Sequence, residues 1–255
     1  MLLAVDVGNT QTAVGLFSRK ELAGSWRFAT DVRKTGDEIA ALLDALLRLD
    51  GFSRDSVSGL ALASVVPRLS SEYASMATSK FGLEALVVGP GVKTGMPILT
   101  NDPRQVGPDL IVDAVAAYEA YGGPCIAVDF GTATTFSAVS AAGEYLGHAI
   151  APGIEVSLDA LATRAARLMR IELADPGTVI GRNTVHAMQA GAVYGFAGQV
   201  DGIVGRMRAE LAAEAVTVAT GGLAFLIFEH AASLDKLDPL LTLRGLEIIH
   251  RRNHS

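Results

Sequence analysis

The chain has 255 residues, half of them hydrophobic and 19% charged, with a formal net charge of −6 and one cysteine. That is enough apolar material for one large domain or two of ordinary size, and it excludes a disordered chain. The acidic balance without a Lys/Arg cluster argues against nucleic acid as the main partner, and a lone Cys125 excludes a disulfide framework or a cysteine zinc site.

Apolar runs at 2–6 and 12–17 read as paired strands, with a third at 22–29. Ile39, Leu42, Leu43, Leu46 and Leu47 recur at helical spacing over 37–49, and Gly51 stops the helix. Leu60–Val66 is a buried strand halted by Pro67, followed by a helix over 68–80 and a strand at 85–88. Residues 89–107, rich in Gly and Pro, form a long loop of the functional kind. A helix begins at Pro108, with Gly107 at the cap, and ends at Gly122-Gly123. Strands then follow at 125–129, 134–140 and 145–150, helices at 155–168 and 183–210, a strand at Thr217–Ala219, and helical segments at 223–230 and 242–252.

The second half repeats the first in outline. Ala4-Val5-Asp6-Val7-Gly8-Asn9-Thr10 has a counterpart in Ala127-Val128-Asp129-Phe130-Gly131-Thr132-Ala133-Thr134-Thr135. In each, an apolar strand ends in an aspartate, a glycine turn and short polar side chains. Glycine lets a ligand approach the backbone N–H groups, hydroxyls and amides suit phosphate oxygens, and a carboxylate suits a cation. A single Asp-x-Gly turn is an ordinary hairpin; a matched pair at half-chain spacing reads as a polyphosphate clamp. The expected fold is α/β, with two similar lobes of mixed sheets and an inter-lobe cleft, divided as 1–115 and 116–255.

Other chemistries lack their signatures. Gly89-Pro90-Gly91-Val92-Lys93-Thr94-Gly95 mimics a P-loop without the glycine before its lysine, and no Gly-x-Gly-x-x-Gly or Gly-x-Ser-x-Gly motif is placed for its usual role. The five histidines show no metal-ligand spacing. Phosphoryl transfer fits best, since it asks for positioning, charge neutralisation and a carboxylate to take the acceptor proton. Asp6 and Asp129 are candidates to organise cations, and Asn9, Thr10, Thr132 and Thr134 to bind phosphate. Asp109 is the candidate base, although an acid in a helix's first turn is equally explained by the macrodipole. Thr220-Gly221-Gly222 ends a strand and permits close approach to a nucleoside. Val185, Met188, Ala192, Val193, Gly195, Phe196, Val200 and Ile203 form a stripe suited either to a subunit interface or to burial within the second lobe.

Taken together, Asp6–Thr10, Gly95-Met96-Pro97, Asp102-Pro103-Arg104, Gly107-Pro108-Asp109, Val128–Thr135, Ala149–Gly153, Asn183-Thr184-Val185, Ala219–Gly222 and Leu241–Leu246 form an ordered set spanning the chain. That set resembles the type III pantothenate kinases, within the acetate kinase, Hsp70 and actin superfamily of paired ribonuclease H-like, actin-like ATPase lobes. The resemblance implies ATP-dependent phosphorylation of pantothenate to 4′-phosphopantothenate in coenzyme A biosynthesis, by a homodimer; the lack of any apolar stretch near the ~20 residues of a membrane span and the acidic balance lead to the expectation of a soluble cytoplasmic protein without a membrane or nucleic-acid partner. The resemblance also implies ATP, magnesium and a monovalent cation, potassium or ammonium. By position, Asp109 resembles the catalytic base; Asp6, Val7, Gly8, Asn9, Thr10, Gln11, Thr12, Ala13 and Thr132 the ATP contacts; Gly107, Pro108, Asp109, Leu110 and Thr184 the pantothenate contacts; Asp129 the monovalent-cation ligand, with Asp6 toward magnesium. The chain departs from the pattern at Leu110, where the family usually has Arg, at His148 for Gly, at Asp113 for Asn and around Thr100 for Tyr. Those changes keep two alternatives in view: a catalytically weak nucleotide-binding paralogue with a regulatory role, and a kinase for another small alcohol.

Overall fold

Two five-stranded sheets of the same topology carry the fold of this computed structural model, which describes residues 1–254. Strands β1 (Leu2–Val7), β2 (Gln11–Ser18) and β3 (Glu21–Ala29) form an antiparallel meander; β4 (Gly59–Ser64) runs parallel beside β1, and β5 (Ala85–Val87) beside β4. The second sheet repeats this arrangement. Strands β6 (Cys125–Phe130), β7 (Ala133–Val139) and β8 (Tyr145–Pro152) make the meander, β9 (Val216–Thr220) lies parallel to β6, and β10 (Lys236–Leu237) parallel to β9. The expected repeat is present strand for strand, with the two-residue β10 an unforeseen addition.

Seven α-helices join these strands among the described residues: α1 (Gly36–Leu49), α2 (Pro67–Met76), α3 (Pro108–Tyr121), α4 (Ile154–Arg164), α5 (Thr184–Leu211), α6 (Ala224–Phe228) and α7 (Leu241–Asn253). None is long and apolar enough to cross a membrane. A reciprocal Thr35/Glu38 capping box starts α1, and Ile39, Ala40, Leu43 and Leu47 give it one buried stripe. The helix expected over 68–80 is α2 plus a π-helical turn at Ala77–Phe81, closed by left-handed Gly82. Helix α4 stops at Arg164, short of the expected 168.

Contacts divide the chain into two compact units. The first holds Met1–Gly95, Asn101–Ala116 and the chain from Thr242 onward; the second holds Met96–Thr100 and Ala117–Leu241. The first core is built from Leu3, Val5, Val14, Leu16, Leu60 and Leu62 of the sheet against α1 and against Leu69, Tyr73 and Met76 of α2. In the second, Ile126, Val128, Phe130 and Phe136 pack with Ala192, Ala197, Val200 and Val204 of α5 and Ile227 of α6. Met188, Ala192, Val193 and Val200 of the α5 stripe are buried, so the stripe does not by itself mark a subunit face.

Within the first unit, α7 lies close on α3 and β4. A Cβ at Gly245 would stand 2.2 Å from the Val112 carbonyl oxygen, and Thr242 Oγ1 donates to Asp113 Oδ1 at 2.7 Å. Farther along, the His250 ring covers Gly59, where a Cβ would meet Nε2 at 2.8 Å, and stacks on His254 with centroids 4.0 Å apart. Burial first, and then the neighbouring His254, bring the His250 pKa down from 6.5 to about 4. Well above pH 6.5 the ring is neutral in both folded and unfolded chains. Between 6.5 and 4 the unfolded chain binds a proton that the native ring refuses, so stability falls as pH drops through that window. Chemical denaturation at pH 7.5 and 4.5 is expected to show a smaller acid-induced loss for His250→Gln than for the wild type; equal losses would remove His250 as the cause.

Candidate active site

The first candidate turn follows directly from β1. Asp6 pairs with Ala13 of β2 and Ala63 of β4, so small methyl side chains flank the carboxylate on both sides. Gly8 N–H then donates to the Gln11 carbonyl at 3.0 Å, and a Cβ on Gly8 would come within 2.9 Å of that oxygen. Glycine is what lets the hairpin close so tightly. Asn9, Thr10 and Gln11 are exposed at the tip, Asp6, Gly8 and Ala13 are half-buried, and Val7 and Thr12 are enclosed. The tip therefore presents an amide, a hydroxyl and a second amide, the donor types that hold phosphate oxygens.

The second turn is more crowded. Asp129 occupies the position equivalent to Asp6 and pairs with Thr135 of β7 and Thr220 of β9. A Cβ on Gly221, whose φ is +95°, would lie 2.3 Å from Asp129 Oδ1 and 2.6 Å from the Phe130 nitrogen; one on Gly131 would lie 3.2 Å from Oδ2. Two glycines thus make the space that this carboxylate occupies. Gly153 N–H donates to the Thr132 carbonyl at 3.1 Å, and its absent side chain admits the Gly131 and Thr132 carbonyl oxygens, each 2.4 Å from where a Cβ would stand. Thr132 is exposed, whereas Thr134 is fully buried and its Oγ1 has no hydrogen-bond partner.

This donor set bears on which cation fits. Among the described residues, no group of three or more His, Cys, Asp or Glu side chains could form a cage for a metal ion. One carboxylate among neutral carbonyl and hydroxyl oxygens, as at Asp129, fits a weakly charged cation. One carboxylate at Asp6 fits magnesium that takes its other ligands from phosphates and water.

Asp109 stands at the start of α3, where Pro108 takes the first helical position and Ile111 N–H reaches the Gly107 carbonyl at 3.3 Å. Its Oδ1 lies 2.4 Å from where a Cβ of Gly107 would be, so the carboxylate folds back over the glycine. The approach to this helix is ordered by Asp102, which accepts from Arg104 Nε at 3.0 Å and from Arg104 N–H at 3.2 Å, contacts that hold its carboxyl below the usual range. Leu110 is 6% exposed and Asp113 3%. Asp113, bonded to Thr242, is an anchor for α7.

Thr184 lies in the second unit, at the first position of α5. The cap is its neighbour Asn183, which accepts from His186 N–H at 2.8 Å. Thr184 is exposed on an open groove of about 720 Å³, lined also by Leu158, Leu161, Arg182, Met188 and Phe196. That volume suits a small ligand with an apolar body. Two of the departures lie in the same unit: Thr100 Oγ1 and His148 Nδ1 are both buried without a hydrogen-bond partner. Gly153 and the contact of Gly221 with Asp129 were not foreseen; both depend on approaches between segments distant in sequence.

Residues 2–206 match the family described as Type III pantothenate kinase. A protein of Moorella thermoacetica described by that name is 54% identical over 253 residues, covering 99% of this chain and all of that one. One of Streptomyces avermitilis is 51% identical over 263 residues, covering 100% and 99%. Among solved structures, component A of the (R)-2-hydroxyglutaryl-CoA dehydratase of Acidaminococcus fermentans is similar with a TM-score of 0.59, covering 100% of this chain and 99% of its own at 12% identity. At that identity the likeness is one of fold.

The glycine beside Asp129 gives a direct stability test. Gly221→Ala combines a left-handed backbone with contact against the fixed Phe130 nitrogen. It is expected to cost about 1–3 kcal/mol, read as a lowered unfolding midpoint in denaturant. An unchanged midpoint would mean that the turn has slack the geometry does not show.

Proposed function

The chain belongs to the type III pantothenate kinase family, and on that premise we propose how its residues divide the transfer of a phosphoryl group from ATP to pantothenate. The reaction yields 4′-phosphopantothenate and opens coenzyme A biosynthesis. The observation that carries this reading is identity of about half over the full length of the chain. The duplicated carboxylate turn supports it independently, because phosphoryl transfer depends mainly on positioning and charge neutralisation.

In this reading the exposed tip Asn9–Gln11 and the Gly8 backbone hold ATP phosphates, with Thr132 as a further contact, and Asp6 orients the magnesium that accompanies ATP. Asp129 holds the monovalent cation, potassium or ammonium, whose charge offsets that of the phosphates. Asp109 accepts the proton of the pantothenate hydroxyl as that oxygen attacks phosphorus, and Thr184 contacts the same substrate. Leu110, enclosed and without charge, supplies no partner for the pantothenate carboxylate. We also propose a cytoplasmic homodimer. Val179 and Ile180, adjacent in the chain at 69% and 81% exposure, support the assembly as apolar side chains that a second copy would cover.

Purified protein given ATP, magnesium, potassium and pantothenate should form ADP and phosphopantothenate in equal amounts; absence of pantothenate-dependent ADP would defeat the proposal. Asp109→Asn should lower kcat by roughly 10²–10⁴-fold with the melting temperature preserved. Gly107→Ala should reduce kcat by displacing the Asp109 carboxylate, since the added methyl would clash with the movable end of that side chain and otherwise make ordinary contacts. Retention of full kcat in both variants would remove Asp109 as the base. Asp129→Asn should raise the potassium concentration needed for half-maximal rate, and a titration curve superimposable on the wild type would assign the cation elsewhere.

A further inference from the structure

Residues 165–183, between α4 and α5, form neither helix nor strand, yet they are tied to α5 at several points. Gln189 Nε2 donates to the Glu172 carbonyl at 2.9 Å, and the Tyr194 hydroxyl donates to Asp175 Oδ1 at 3.1 Å. Gly181 lies so flush on the helix that a Cβ there would collide with the Ala187 nitrogen. Asn183 closes the segment as the cap, accepting from His186 N–H at 2.8 Å. Arg182 therefore stands on backbone held at both sides, between the flush glycine and the cap. It lines the same groove as Thr184.

Among the described residues lining that groove, Arg182 alone is charged. The first turn of α5 carries no acidic residue to neutralise it, and its guanidinium makes no hydrogen bond or ion pair among the described residues. Arg170, in the same stretch, is by contrast paired with Asp159 at 3.1 Å. A guanidinium without a carboxylate, at the edge of an apolar groove, fits a ligand that brings its own carboxylate, because its fork of donors matches that group. Pantothenate is such a ligand: it has hydrocarbon, neutral hydroxyl and amide groups, and a terminal carboxylate that the enclosed Leu110 cannot pair. We propose that Arg182 binds the carboxylate of the acceptor and so selects an anionic acceptor over a neutral one. Leu158, Leu161, Met188 and Phe196 then face the hydrocarbon, and Thr184 a neutral polar group. This rests on the proposed reading of pantothenate as the acceptor and of Thr184 as one of its contacts.

The test is steady-state kinetics with pantothenate and with its neutral analogue, in which CH2OH replaces the carboxylate, together with calorimetric titration of Mg-ATP. Arg182→Gln should raise the KM for pantothenate about tenfold, the lower end for a hydrogen bond to a charged group because the guanidinium is exposed. The KM for the neutral analogue, kcat, the Kd for Mg-ATP and the melting temperature should stay at wild-type values, so that the variant no longer prefers the anion. Arg182→Lys should keep part of the preference, and Arg170→Gln, which removes the same charge elsewhere in the stretch, should keep all of it. An unchanged pantothenate KM in Arg182→Gln, an equal rise for both acceptors, a raised Kd for Mg-ATP or a wild type indifferent to the carboxylate would each overturn the assignment. An equal rise would mark a structural role, and a raised Kd a phosphate contact. A wild-type protein that phosphorylates neither acceptor overturns the kinase reading itself; wild-type turnover of pantothenate without a selective effect of Arg182→Gln overturns only the role of Arg182.

Discussion

Each sheet is organised around a strand that is enclosed until its penultimate residue, where a carboxylate breaks the apolar run. The sequences LLAVDV and CIAVDF follow the same order of four buried residues, one half-buried aspartate and one buried apolar residue. A charge at that point is tolerable only if the strand is about to leave the core, and the next residue but one is in each case a glycine that turns the chain. The remaining features of the candidate site follow from this. The neighbours of the first aspartate are alanines, those of the second are threonines, and polar groups collect at the turns because the sheet ends there. The difference between the two sets of neighbours is chemical as well as steric, since hydroxyls beside Asp129 can supply oxygen ligands that methyl groups beside Asp6 cannot.

Much of the fold could be read from local pattern. Strand–turn–strand units around Asp6 and Asp129, the stripe of α1 and the Gly-Pro start of α3 are encoded within a few residues, where periodicity and turn chemistry operate. What escaped needed long-range contact. The two residues of β10 carry no alternation, and they become a strand because β9 offers an edge. The π-helical turn after α2 continues an apolar spacing that reads as ordinary helix until Gly82. In the site, the residue types and their order were legible, whereas the glycines that make room for Asp129 and Asp109 acquire meaning only once their neighbours are placed.

The departures at Leu110 and Asp113 also look different in three dimensions. Both are enclosed, and Asp113 has a short bond to Thr242 at the start of α7. A carboxylate at 3% exposure needs strong partners. The carboxyl group at position 113 is thus bound up with how the C-terminal helix is held, one turn along α3 from the proposed base Asp109.

Gly153 couples parts of the second unit that sequence keeps apart. It begins the approach to α4 and lies flush against the carbonyls of Gly131 and Thr132, with no room for a methyl group. Close-packed backbone transmits displacement instead of absorbing it. Helix α4, which supplies Ser157, Leu158 and Leu161 to the groove, therefore begins in direct backbone contact with the turn that carries Thr132. Any side chain at position 153 would have to push the start of α4 away from that turn, and one wall of the groove with it.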